Sequence, residues 1–87
     1  MSENLLTLDQ LPIGSFGKVK ELIVYGPIRR RMLDLGLING TIVKSLKKSP
    51  AGDPIAYEIR GTVIALRSEE ASQIFVEQIQ QNEEGGC

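Results

Sequence analysis

The chain has 87 residues, 41% of them hydrophobic and 24% charged, with a formal net charge of −1, and these values are typical of one small soluble globular domain, here residues 1–79. No apolar run approaches the roughly 18 residues that span a bilayer, and no signal peptide is recognisable, so we expect a cytoplasmic protein. The absence of histidine and the single cysteine, Cys87, exclude imidazole catalysis and cysteine-rich metal centres.

The first half of the chain predicts a turn, a strand and a helix. Residues 7–12 are expected to form a short helical turn stopped by proline, and residues 18–25 a strand with a bulge, because their alternation is imperfect. Residues 27–35 predict a short helix, with Pro27 at the first helical position and Gly36 as a left-handed cap.

This helix is too short to be stable alone, so it must dock on the rest of the domain. Ile28, Met32 and Leu35 fall on one stripe at helical spacing, and Leu33 flanks it. We therefore expect that stripe to face the core.

The second half predicts strands connected by turns. Ile55, Tyr57 and Ile59 alternate with polar residues or alanine, and the Arg60-Gly61 pair permits a tight hairpin. A helix is expected to start with Ser68 as its cap, without a full capping box because Ala71 holds the last position. The strands predicted are residues 41–47, 55–59, 62–67 and 74–79.

Five short strands and two short helices predict a mainly β fold, a small antiparallel barrel. Closure of the sheet into a barrel would remove the exposed edges of such short strands. Residues 80–87 are polar and are expected to form a disordered tail.

The net charge conceals an asymmetry along the chain. Residues 18–48 carry eight bases and two acids, a net charge of +6, whereas residues 49–87 carry −5. The basic segment favours an acidic protein, nucleic acid or anionic surface as partner. Alternatively, the segments interleave in the fold and neutralise one another.

The predicted helix carries an unfavourable charge pattern. Arg29, Arg30 and Arg31 crowd its positive N-terminal end, while Asp34 lies near the negative C-terminal end. Arg30 is spaced to pair with Asp34. Either the arginines form a partner-binding face, or one or two of them pair with carboxylates such as Asp53 or Glu58 within the fold.

The proline-rich loop at residues 50–54 is a second candidate binding element, because rigid loops often carry contacts. It is equally compatible with a simple connection between strands. Glu69 and Glu70 are adjacent on a helix and face different directions, so they do not predict a metal site.

Five short motifs follow one another in an order specific to a known family. They are RMLDLGL at 31–37, NGT at 39–41, PAGDP at 50–54, RG at 60–61 and ALR at 65–67. Over about residues 5–79 the chain resembles the ferrous-iron transport protein A family, the FeoA-like proteins, which form SH3-like barrels.

The resemblance implies an accessory of ferrous-iron uptake that is not an enzyme. Its expected partner is the membrane-bound ferrous-iron permease, contacted at the cytoplasmic G-protein domain, which would also bring the chain to the membrane. No cofactor, metal ligand or small-molecule substrate is expected, and without histidine the chain is a poor ferrous site. The candidate partner-binding residues are Arg29, Arg30, Arg31, Asp34, Leu37, Pro50, Asp53 and Pro54.

Two other partners stay open at this point. The chain also resembles the C-terminal domain of iron-dependent transcriptional repressors, so the alternative is a module for metal-dependent regulation or nucleic-acid binding. It would use the basic segment on phosphates, although the scarcity of aromatic residues weakens that reading. A second copy of the chain is a further candidate partner.

Overall fold

The computed structural model describes residues 5–79, and the predicted tail at residues 80–87 lies outside them. A single 3₁₀ turn, Leu8–Gln10, follows the first strand. The other elements are β1 (Leu5–Thr7), β2 (Phe16–Leu22), α1 (Pro27–Asp34), β3 (Ile42–Lys48), β4 (Ile55–Ile59), β5 (Thr62–Leu66), α2 (Ser68–Ala71) and β6 (Ile74–Ile79).

The strands form one antiparallel sheet in the order β1-β6-β2-β3-β4-β5. The mainly β prediction is confirmed, and the sheet has six strands rather than five. β1 is the additional strand, with Leu6 opposite Val76 of β6. Three residues are too few to display a period of two, so pairing with a distant segment creates this strand.

β2 contains the predicted bulge, at Lys20, where the register against β6 shifts. The strand begins earlier than predicted because Gly17 lies within it, and it ends at Leu22 rather than at residue 25. A Cβ atom at Gly17 would come within 3.1 Å of a methyl carbon of Val76. Glycine here permits close packing of β2 on β6 rather than marking a loop.

β4 and β5 form the predicted hairpin. Ile55, Tyr57 and Ile59 are all buried, which confirms their period of two. Arg60 and Gly61 connect the strands with φ values of 54° and 82°. Two successive positive φ values are the geometry of a type I′ turn, whose twist matches that of the strands.

Tyr57 joins the sheet to the turn after β1. Its side chain is fully buried, and its hydroxyl donates a hydrogen bond of 3.2 Å to the carbonyl oxygen of Leu8. Burial, and then the negative charges of Asp9 and Asp53, raise the pKa of Tyr57 well above its ordinary value. The tyrosine is therefore neutral in the folded domain over the physiological pH range.

α2 begins one residue away from the predicted position. Arg67 is the N-cap and Ser68 the first helical residue, so Glu70, not Ala71, holds the third position. The Glu70 carboxylate accepts a hydrogen bond of 3.1 Å from the Arg67 main-chain N–H. This hydrogen bond is one half of a capping box. Glu70 forms it, although the sequence predicted Ala71 at the third helical position.

Candidate partner-binding surface

α1 is fixed at both ends by the residues that the sequence indicated. Gly26 is the N-cap and Pro27 follows it at the first helical position. At the other end, Gly36 has a φ of +98°, and the Leu37 N–H donates to the Met32 carbonyl at 3.0 Å. This reversal holds the helix at a defined place beside the sheet.

Only part of the predicted apolar stripe faces the core. Met32 is fully buried and Leu35 packs against the core. Ile28 and Leu33, however, are 40% and 38% exposed. An eight-residue helix docked through one central residue leaves its flanking apolar side chains in solvent, where they are available to a partner.

The three consecutive arginines of α1 have different surroundings. Arg29 donates to the Leu22 carbonyl at 3.3 Å, and Arg31 forms a 2.7 Å ion pair with Glu70 of α2. Arg30 is exposed and forms no ion pair with any carboxylate of residues 5–79. The predicted pair with Asp34 is therefore not formed.

The basic and acidic segments of the chain partly neutralise each other in the fold. Arg31 pairs with Glu70, and Lys20 pairs with Glu77 of β6 at 3.5 Å. Both ion pairs connect the basic segment, residues 18–48, to the acidic segment, residues 49–87. The charge asymmetry of the sequence is thus weaker on the folded surface than along the chain.

A groove of about 300 Å³ runs between the end of β2 and α1. Leu22, Leu33 and Ile38 supply apolar surface, while Lys20 and Arg29 place positive charge at its side. The Asn39 side chain donates to the carbonyl oxygen of Lys20 at 2.8 Å and stabilises the β2 bulge that shapes the groove. The other lining residue is Glu21.

The end of β2 and the start of α1 expose apolar and aromatic side chains that the sequence did not indicate. Tyr25 is 81% exposed, and Ile23 and Ile28 are 39% and 40% exposed. Ile23 and Tyr25 were missed because residues 18–25 were predicted to be strand, whereas β2 ends at Leu22. Ile28 was expected to face the core as part of the helix stripe. The available signal was the position of Tyr25 directly before the Gly26-Pro27 helix start. We call Tyr25, Ile28 and Arg30 the α1 surface.

Leu37 is a correction to the predicted partner-binding set. Its side chain is fully buried. It follows the left-handed glycine, and such a residue commonly packs back on its own helix. Leu37 therefore belongs to the core, whereas Asp34 is exposed on α1.

The loop at residues 50–54 is tied to α2. One Asp53 carboxylate oxygen accepts a 2.7 Å hydrogen bond from the Ser68 N–H, and the other lies 3.9 Å from Arg67. Asp53 thus stabilises the start of α2, and Pro50 and Pro54 are exposed beside it. Because Arg31 also contacts α2 through Glu70, both predicted binding elements are joined to this helix.

The surface combines charged and apolar side chains. In the part of the chain that the structure describes, no three acidic or thiol side chains gather as a possible metal site. Between residues 5 and 79, no helix is long and apolar enough to cross a membrane. The described residues thus form a small antiparallel β domain with exposed apolar and basic side chains.

The FeoA domain family matches residues 6–78, and the chain belongs to that family. The FeoA-like protein of Clostridium acetobutylicum is 34% identical, with a TM-score of 0.82 and 93% of each chain covered. The FeoA of Stenotrophomonas maltophilia, an SH3 domain protein complexed with zinc, is 29% identical with a TM-score of 0.76; the comparison covers 86% of this chain and 96% of that one. The SH3-like fold expected from the sequence is thereby confirmed.

A fusion protein of Porphyromonas gingivalis contains both Fe(2+) transport protein A and the Fe(2+) transporter FeoB. This chain is 30% identical to it over 77 residues, which cover 88% of this chain and 9% of the fusion protein. The match therefore concerns only a small part of that relative.

Proposed function

We propose that this domain is a cytoplasmic accessory of ferrous-iron uptake, which binds and modulates a ferrous-iron permease at its cytoplasmic G-protein domain. The observation that carries the proposal is the relative in which the A protein and FeoB form one polypeptide. Fusion keeps the two parts at a high effective concentration, so that even a weak contact between them is formed. The Stenotrophomonas FeoA has likewise been suggested as an activating factor for ferrous-iron transport.

The α1 surface is the contact that we assign to this partner. Aromatic and arginine side chains contribute most to protein interfaces. Tyr25 is exposed just before α1, and Arg30 is exposed and forms no ion pair within residues 5–79. Arg29, Arg31, Asp34 and the residues 50–54 loop would line its border. We propose that the accessory acts through this contact, without binding a ferrous ion itself.

The test is an amide chemical-shift titration of the full labelled chain with the permease's cytoplasmic domain, in each nucleotide state. We expect shifts on residues 23–38 and loss of affinity by about tenfold for Tyr25→Ala. Arg30→Gln should weaken binding severalfold. Lys18→Gln is the matched control, because Lys18 is exposed on β2 about 13 Å before the strand ends.

An equal effect of Arg30→Gln and Lys18→Gln would show that general charge, not the α1 surface, drives binding. A steep loss of affinity with salt, together with binding to nucleic acid, would favour the alternative of a phosphate-binding module. Absence of shifts at high concentration of the domain would contradict the proposed partner domain.

A further inference from the structure

β5 is an edge of the sheet with no pairing strand on its outer side among residues 5–79. The opposite edge, β1, has only three residues, whereas β5 has five. Its sequence is Thr62-Val63-Ile64-Ala65-Leu66, which contains no charge and no proline. Natural proteins commonly protect an edge strand with lysine, proline or a bulge, and β5 carries none of these.

The hairpin register identifies the free backbone groups. Ile59 and Thr62 flank the two-residue turn and form a hydrogen-bonded pair, after which bonded and non-bonded pairs alternate along the ladder. The bonded pairs therefore include Tyr57 with Ile64. The N–H and C=O groups of Val63 and Ala65 consequently point away from β4.

The side chains at this edge also favour an added strand. Val63 is 62% exposed and Ala65 is exposed, whereas Ile64 packs on the core with one side still accessible. A strand beside β5 would cover the apolar surface of Val63 and the open side of Ile64. Burial of that surface would add to the backbone hydrogen bonds.

Charge at the ends of the edge indicates the kind of strand that fits. Arg60 precedes β5 and Arg67 follows it, and both are exposed. Arg67 has only a 3.9 Å contact with Asp53. The acid nearest on the solvent face, Glu58, lies on β4, where it pairs in register with Lys44.

Self-pairing is disfavoured by the same arginines. An antiparallel β5–β5 pair centred on Ile64 would place Arg67 of one copy opposite Gly61 of the other, next to Arg60. Each end of the paired strands would then bring two positive charges together, and like charges across strands are destabilising. A strand with acidic residues at its ends reverses the sign of that interaction.

The geometry points to β5 as a strand-addition site for an extended protein segment with an apolar centre and acidic residues at both ends. No residue of the α1 surface lies on β5, although Arg67 contacts Asp53 of the loop at the border of that surface. The inference does not depend on the permease assignment. Main-chain bonds to Val63 and Ala65 supply affinity, and Arg60 and Arg67 select for acidic flanks.

The experiment uses the full labelled chain and synthetic peptides. The first peptide has a Thr-Val-Thr-Val centre flanked by glutamates, and its control has the same centre flanked by lysines. We expect shifts centred on β5 and binding about tenfold tighter for the acidic peptide, since each cross-strand charge pair contributes modestly. Methylation of alternate backbone nitrogens of the acidic peptide should abolish binding.

Protein variants test the backbone groups directly. Val63→Pro removes an outward N–H without breaking the β4 ladder, so it should abolish binding. Val63→Thr retains the N–H and should keep most of the binding, with a small loss from the reduced apolar surface. If Val63→Pro does not fold, Ala65→Pro provides the same test, because the N–H of Ala65 also points away from β4. Arg60→Asn suits the positive φ and should reduce the preference for the acidic peptide.

Four results would overturn the inference: no peptide binding, shifts confined to the α1 surface, unchanged binding by Val63→Pro, or insensitivity to peptide methylation. Concentration-dependent self-association with shifts on β5 would show that a second copy of the chain, rather than an acidic segment, pairs with β5. Failure of the permease titration leaves each of these peptide results interpretable.

Discussion

Replacement of Gly36 tests how the end of α1 is held. Gly36 has a φ of +98°, and two hydrogen bonds close the helix around it. The Leu37 N–H donates to the Met32 carbonyl and the Gly36 N–H to the Leu33 carbonyl, both at 3.0 Å. This bond pattern is a Schellman motif. Its hydrophobic contact is supplied by Leu37 and Met32, which are both fully buried.

The expected cost arises from the backbone. A Cβ atom at Gly36 would lie 3.4 Å from Cδ of Arg60 and 3.7 Å from Cγ2 of Ile59, which are ordinary contacts. A side chain in the left-handed region costs about 1–2 kcal/mol. We expect Gly36→Ala to destabilise by about 1 kcal/mol, and Gly36→Val by about 2–3 kcal/mol because its β-branch is strained there.

Thermal unfolding followed by circular dichroism is the assay. For a domain of this size, 1 kcal/mol shifts the melting temperature by about 4–8 °C, so the valine variant should melt about 10 °C or more below the parent. Gly36→Asn is the control, since asparagine tolerates positive φ and should retain most of the stability. A valine variant with the parent's melting temperature would refute the cap.

Three further substitutions test the core and the ion pairs. Tyr57→Phe should cost about 0.5–1.5 kcal/mol in urea unfolding near pH 8. Folding raises the pKa of Tyr57, so the tyrosine stabilises the fold fully below its unfolded pKa of about 10, and this stabilisation is lost as the pH rises above that value. The parent should therefore lose more stability between pH 9 and 11 than the phenylalanine variant does. Gly17→Ala should lower the free energy of unfolding by about 1–3 kcal/mol, because the added methyl group crowds Val76. An alanine at an exposed strand position should not have this effect. Arg31→Glu should lower the free energy of unfolding by about 1 kcal/mol or less, because it places a second negative charge near Glu70. Added salt should reduce that loss.

Local signals in the sequence predicted the elements that local chemistry determines. Pro27 and Gly36 bracket α1 to within one residue, and the alternation of Ile55, Tyr57 and Ile59 predicted β4. Each of these signals acts within a few residues of the chain. The order of the motifs then identified the family, which the comparison confirmed over residues 6–78.

Contacts between distant parts of the chain determined what could not be predicted. β1 exists because β6 pairs with it, and the packing of Val76 explains why Gly17 lies inside a strand. The partner of Arg31 lies 39 residues away in α2, and nothing at helical spacing pointed to it. Exposure of Tyr25 depended on where β2 ends, and strand boundaries respond to such distant pairing.

These contacts also decide which variants report on a partner. Arg31 and Asp53 both fasten α2, so a loss of permease binding after changing either one could follow from movement of that helix. Arg30 forms no ion pair within residues 5–79 and Tyr25 is largely exposed. Changes at these two positions should leave the fold within about 0.5 kcal/mol of the parent. A loss of binding there, with the melting temperature preserved, therefore measures the contact itself.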